Sequence, residues 1–310
     1  MKIFVTGAAG YIGATLIPML LEKGHQVTAL DNFMYNQSPL LEHCHNPNLS
    51  ITRGDARDKD LVKKLAGGAD VIIPLACYTG APLCKKDPIG STTTNKDAII
   101  NFLEFKSKDQ MMIYPCTNSG YGIGDAGKEC DEKSPLSPIT LYGKLKVDAE
   151  KALLDEGSSV TFRFATVFGS SARARLDLLV NDFVYRAVND RTVVLFEPHF
   201  KRNYLHIRDA AGAFIHTMEN YSKMKGEPFN VGLSDANLNK EELCLAIKKQ
   251  IPDFIYMIAP IGEDPDKRNY IISNAKIEKT GFRTKYSLDM GIKELIKSFE
   301  IIKRNEYSNI

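Results

Sequence analysis

Residues 2–23 read Lys2-Ile3-Phe4-Val5-Thr6-Gly7-Ala8-Ala9-Gly10-Tyr11-Ile12-Gly13-Ala14-Thr15-Leu16-Ile17-Pro18-Met19-Leu20-Leu21-Glu22-Lys23, and this stretch decides the fold. Residues 2–6 form a short apolar run of strand type. Residues 11–23 carry apolar side chains at helical spacing and stop at Gly24. Three glycines, Gly7, Gly10 and Gly13, stand between the two. The first permits a tight turn, the second lets backbone approach a pyrophosphate, and the third lets helix and strand pack closely. The loop Gly7–Gly13, with Tyr11 and Ile12 in it, then delivers phosphates to the positive N-terminus of the helix.

Outward from this unit the pattern repeats. Residues 25–30, 49–53, 70–76, 110–115 and 159–164 read as strands, and 58–66, 91–107 and 140–156 as helices. Strand alternating with helix predicts an α/β fold, a Rossmann-type doubly wound parallel sheet. The second half changes character. Helical segments at 176–189, 208–222, 239–250 and 288–304 and strands at 192–196 and 254–259 are punctuated by Pro198, Pro228, Gly232, Pro252, Pro260 and Pro265. We expect a dinucleotide domain over 1–168 and a smaller mixed α/β substrate lobe over 169–310, with part of 204–222 returning to the first domain. The charged end KRNEYSNI is expected to fray.

Composition excludes several classes. The 310 residues carry 40 Lys+Arg against 38 Asp+Glu, a formal charge of +2, with 44% hydrophobic and 25% charged residues. That is an ordinary globular balance with no electrostatic case for nucleic acid or an anionic membrane. The six cysteines form no C-x-x-C pair and no zinc spacing with His, so free thiols and no metal are expected. No signal peptide or membrane span is legible, which predicts a cytoplasmic protein.

Two further features carry chemistry. Asp31 ends the second strand, 24 residues after Gly7, and Asn32 follows with no Arg nearby. A carboxylate there accepts hydrogen bonds from ribose hydroxyls and repels a 2′-phosphate, which selects NAD over NADP. Tyr142 and Lys146 stand at i and i+4 on one helix face. Bringing a phenol of pKa about 10 to neutrality needs roughly 3 units, about 4 kcal/mol, which a neighbouring Lys and a positive nicotinamide could supply.

The spacing G-x-x-G-x-x-G resembles the extended short-chain dehydrogenase/reductase family, in its nucleotide-sugar branch. The resemblance continues through Gly54-Asp55-Ala56-Arg57-Asp58, Leu75-Ala76-Cys77, Asn95, and Tyr142-Gly143-x-x-Lys146-x-x-x-Glu150. It implies adenine contacts from Asp55 and Ala56 and cofactor contacts from Leu75 and Ala76. Pro115-Cys116-Thr117-Asn118-Ser119-Gly120-Tyr121-Gly122 resembles the motif that supplies the family's catalytic Ser/Thr, here Thr117. Sugar dehydratases of the family carry Asp-Glu at the next two positions. Asn118-Ser119 exchange no proton near neutrality, which disfavours dehydration. Arg163–Gly169, Arg202–Asp209 and Asp266-Lys267-Arg268 resemble later motifs. They imply a nucleotide diphosphate on Arg202 and Arg268, with Tyr78, Asn118, Thr166, Arg173 and Arg175 as further substrate contacts. His199 and His206 read as structural, and Glu197 as a candidate acceptor for guanine.

The implied activity is NAD-dependent oxidation at C4 of a nucleotide-activated sugar, with Thr117, Tyr142 and Lys146 as the catalytic set. The overall sequence resembles the GDP-heptose 4-dehydrogenases of bacterial capsule synthesis. A C4-epimerase would use the same residues, and a non-catalytic dinucleotide sensor is the alternative from another class. Relatives commonly pair through two helices per subunit, here 91–107 and 140–156, so a homodimer is expected.

Overall fold

A computed structural model of the protein describes residues 1–125, 127–263 and 267–302. The first half runs β1 (Lys2–Thr6), α1 (Gly13–Glu22), β2 (Gln26–Asp31), β3 (Leu49–Arg53), α2 (Lys59–Ala66) and β4 (Val71–Pro74). It continues through α3 (Ala81–Lys86), α4 (Pro88–Thr92), α5 (Ala98–Ile100), β5 (Met111–Thr117), β6 (Glu129–Cys130), α6 (Leu141–Glu156) and β7 (Val160–Phe164). The second half adds β8 (Thr166–Phe168), α7 (Leu179–Asn189), β9 (Thr192–Leu195), β10 (Arg202–His206), α8 (Ile207–Met224) and β11 (Pro228–Val231). It ends with β12 (Asn237–Leu238), α9 (Lys240–Gln250), β13 (Ile255–Ile258), β14 (Ile271–Ile272), α10 (Ala275–Lys279) and α11 (Leu288–Ile301).

Seven parallel strands form the main sheet in the order β11-β7-β5-β4-β1-β2-β3. Its strands are apolar nearly end to end because both faces are covered. Ile3, Val5, Ile73 and Ile113 point to the side of α1 and α8, while Phe4, Ile72, Met112 and Tyr114 point to the side of α2, α5 and α6. The helix α8 is drawn onto the sheet by aromatic contacts. Phe214 meets Phe162 and Phe164 edge-on, at 5.2 and 5.7 Å between ring centres. A second core around Phe168, Phe183, Leu243, Phe254, Ile292 and Phe299 holds α7, α9 and α11 together. The order of strands reverses beside β1, which opens a crevice at the carboxyl ends of β1 and β4.

Three departures from the sequence reading have physical causes. The helix expected over 91–107 starts at Pro88 and changes gauge. After α4 it widens to a π-helical stretch at Thr93–Asp97, resumes as α5, and tightens to a 3-10 turn at Asn101–Glu104. The Thr92 and Thr93 hydroxyls donate to the carbonyls of Pro88 and Ile89, at 2.8 and 3.0 Å, which competes with the regular ladder. The helix expected from 176 starts at Leu179, since the Asn181 side chain ties down the loop before it. Strands β6, β8, β10, β11, β12 and β14 escaped the sequence reading. They are short, and Pro228 and Gly232 bracket β11 as if it were a turn. The last two residues of the helix expected over 288–304, and the end expected to fray, lie outside the described residues.

Candidate active site

The crevice is a cleft of about 560 Å³. At its first end lies the glycine-rich loop. Gly7 has φ +66°, and a Cβ there would stand 2.5 Å from the Ala76 nitrogen, so the end of β1 can approach the Leu75-Ala76 segment only without a side chain. A Cβ on Gly10 would meet only the Gly7 carbonyl, with its oxygen at 3.0 Å. The rest of its surroundings is open cleft, and α1 begins at Gly13 with no acidic residue in its first turn. This cradle fits a dinucleotide pyrophosphate. Tyr11 and Ile12 complete the loop. The Tyr11 hydroxyl donates to the Gly169 carbonyl at 2.7 Å, and the Ser171 hydroxyl donates back to the Tyr11 carbonyl at 3.0 Å.

Asp31 and Asn32 line the same end. The Asp31 carboxylate is braced by two backbone donors, Ala9 N–H at 2.9 Å and Phe33 N–H at 2.7 Å. Asp55 is gripped by Arg57, which holds its carboxyl below the usual range, and Ala56 lines the cleft beside it. Leu75, Ala76 and Tyr78 follow β4 along the wall. Asn95, on the π-helical stretch, clamps Tyr78 from both sides. It accepts from Tyr78 N–H at 2.8 Å and donates to its carbonyl at 2.9 Å.

The central part comes from α6 and the end of β5. Thr140 caps α6 by accepting from Gly143 N–H at 3.2 Å, which puts Tyr142 in the first turn and Lys146 one turn on. One further turn on, Glu150 makes a buried pair with Arg163 at 2.7 Å and fixes this face of α6 against β7. The phenol of Tyr142 is pushed well above its ordinary value. Burial is the main cause, the thiols of Cys77, Cys116 and Cys84 add to it, and Arg268 pulls the other way. The Lys146 ammonium, 3% exposed, is turned over the Tyr114 ring, 4.0 Å from its centre. Thr117 also lines the cleft. Its Oγ1 accepts from Ser119 N–H at 3.1 Å and so caps the 3-10 turn Asn118–Tyr121. That turn carries Asn118 away. It is 1% exposed and is not among the residues that line the cleft, whereas Ser119 is.

At the far end stand Thr166, Arg202 and Arg268. Arg202, on β10, is buried and lies 5.8 Å from the centre of the Tyr270 ring. Asp266, at the head of the motif that holds Arg268, lies outside the described residues. Arg173 and Arg175 are elsewhere. Arg173 stacks on Tyr35 at 4.3 Å, Arg175 pairs with Asp177, and Asn181 donates both to the Arg175 carbonyl and to the Tyr11 hydroxyl. They therefore close over the glycine-rich end, not beside Arg202. Tyr35 escaped the sequence reading, since a lone aromatic after Asp31 belongs to no motif. Glu197 is not among the lining residues, and His206 caps α8 by accepting from Arg208 N–H at 3.2 Å. Among the described residues no cluster of His, Cys, Asp or Glu could hold a metal, no helix is long and apolar enough to cross a membrane, and the six cysteines are unpaired.

Residues 3–232 match the family model described as the NAD dependent epimerase/dehydratase family. The chain is 27% identical to UDP-glucuronic acid decarboxylase 1 of Arabidopsis thaliana, over 96% of this chain and 70% of that one. It is 26% identical to UDP-glucose 4-epimerase of Lactobacillus helveticus, over 86% and 87%. The crystal structure of UDP-glucuronic acid 4-epimerase from Bacillus cereus, with UDP-glucuronic acid and NAD, shares the fold at a TM-score of 0.87 and 22% identity, covering 97% of this chain and all of that one.

Proposed function

The chain belongs to the NAD dependent epimerase/dehydratase family, and from that premise we propose that it oxidises the C4 hydroxyl of a nucleotide-activated sugar. One observation carries this reading: Thr117, Tyr142 and Lys146 meet in a single cleft between a dinucleotide cradle and the arginines Arg202 and Arg268. NAD, when bound on the Gly7–Gly13 loop, supplies the hydride acceptor. Tyr142, as phenolate, takes the proton of the C4 hydroxyl. Thr117 orients that oxygen by a hydrogen bond, and Lys146 together with the positive nicotinamide favours the phenolate once NAD is bound. Asp31 serves the adenine ribose, Arg173 and Arg175 the cofactor end, and Arg202 the substrate diphosphate through its planar fork.

Net oxidation is the first reading because Tyr78, whose backbone Asn95 holds in place, lines the cleft in which a ketosugar would have to rotate. A C4-epimerase is the second, favoured by the Lactobacillus helveticus relative of that name. The finer assignment, a GDP-heptose, rests on the overall sequence resemblance. The similar proteins are named for UDP-sugars. The proposal includes a homodimer, for which α6 offers an outward row of alternating charge, Lys144, Asp148, Lys151 and Asp155. The test is mass spectrometry of products from GDP-, UDP-, CDP- and dTDP-sugars carrying deuterium at C4. Oxidation removes the deuterium from the sugar. A stereoisomer that keeps it at C4, with no net NADH, establishes the epimerase. No turnover of any member refutes both.

A further inference from the structure

Thr117, Ser119 and Arg268 form a chain of hydrogen bonds in the wall of the cleft. Thr117 Oγ1 and Ser119 Oγ are 3.0 Å apart, and Arg268 Nη1 donates to Ser119 Oγ from 149 residues away in sequence. Ser119 and Thr117 are 2% and 8% exposed, so little water competes for these bonds. Arg268 lines the same cleft as Thr117 and Tyr142.

Counting protons shows what the chain does. Each hydroxyl has one proton and two lone pairs. Ser119 N–H occupies one lone pair of Thr117 Oγ1, and Arg268 occupies one of Ser119 Oγ. Only one proton fits between the two oxygens. If Thr117 supplies it, Thr117 has no donor left for the sugar. If Ser119 supplies it, the Thr117 proton is free to point into the cleft. A guanidinium on Ser119 Oγ draws density from that oxygen and makes its O–H the better donor. The chain then runs from Arg268 through Ser119 and Thr117 to the reacting oxygen.

We propose that Ser119 is a positioning residue which, polarised by Arg268, holds the Thr117 proton toward the oxygen at C4. The inference rests on the function proposed above. The cap of the 3-10 turn needs only the backbone N–H of residue 119. Ser119→Ala therefore leaves the turn intact and breaks the chain, while Ser119→Thr keeps both.

The experiment uses the nucleotide sugar of the panel that is turned over, with hydrogen or deuterium at C4. Full loss of a preorganised donor lowers kcat by about 10²–10³. Here the donor stays and only its orientation is lost, so Ser119→Ala should lower kcat about tenfold. KM should stay within about twofold, and the deuterium isotope effect on kcat should grow as hydride transfer becomes slower. Ser119→Thr should restore most of kcat. Unchanged kcat in Ser119→Ala, no rescue by Ser119→Thr, a loss confined to KM, or a large fall in melting temperature each overturns the inference. Tyr142→Phe in the same assay separates the two levels. Normal turnover there removes the base assignment itself, whereas an inactive Tyr142→Phe beside a normal Ser119→Ala removes only the role of Ser119.

Discussion

Replacing Asp31 with Asn tests the cofactor end most directly, because the structure gives its carboxylate two duties. Both oxygens accept from backbone, Ala9 N–H at 2.9 Å and Phe33 N–H at 2.7 Å. An amide has one acceptor oxygen, so Asp31→Asn leaves one of these N–H groups facing an NH2 donor. The brace of the glycine-rich loop should weaken by about 1.5–3 kcal/mol, the range for a hydrogen bond to a charged group. The ribose hydroxyls lose a charged acceptor of the same strength. The ribose contact alone predicts NAD binding weakened about 10- to 100-fold, since each 1.4 kcal/mol is tenfold. NADP, which the carboxylate repels, should lose far less, so the preference for NAD narrows. Titration calorimetry of both cofactors on wild type and variant measures the gap, and a melting curve reports the loop alone. A lowered melting temperature with unchanged NAD affinity would make Asp31 a turn brace only. Equal affinity of the wild type for NAD and NADP would refute the selection argument.

Tyr142→Phe removes the base and keeps the ring, so turnover should fall at least about 10²-fold, measured at saturating NAD and nucleotide sugar. The phenol is pushed up, and the working form is the phenolate. The oxidation rate should therefore climb with pH from neutrality into the alkaline range, and a profile flat over that range would contradict Tyr142 as base. Glu150→Ala strands the buried Arg163 with only the Tyr121 hydroxyl and the Glu132 carbonyl, and should destabilise the fold by about 3–5 kcal/mol in urea unfolding. Arg202→Ala should weaken nucleotide-sugar binding by about 1.5–3 kcal/mol and spare NAD, while Arg173→Ala should do the reverse. Equal effects of the two on both ligands would dissolve the division of the cleft.

Local pattern carried much of this. Gly7, Gly10 and Gly13 lie between strand and helix in one continuous stretch, and Tyr142 and Lys146 share one helical turn, so their placement follows from geometry a few residues long. The strands β1, β2, β4 and β7 were legible because burial on both faces makes them apolar runs. What escaped depends on partners far away. β11 is four residues that begin with a Pro and end before a Gly, and becomes a strand only because β7 offers it an edge. The π-helical stretch answers to Tyr78, seventeen residues earlier. Asn118 and Ser119 are neighbours in sequence, and only the 3-10 turn decides which of them faces the cleft. The placement of Arg173 and Arg175 depends on Asn181 and Tyr11, which no spacing rule connects.

The position of β11 bears on how this protein could be recombined with its relatives. A cut after Gly169, where the sequence changes character, would leave β7 as an outer strand, and all five of its residues are buried in the intact chain. A half-protein made that way would expose an apolar edge able to template sheet growth between molecules. Exchange of substrate specificity by grafting should therefore move loops and not halves: the segment 197–201, which carries Phe200 of the cleft lining, can be swapped as a cassette on a frame that keeps α8 and β11. A library built on that plan keeps β7 covered by β11 in every member.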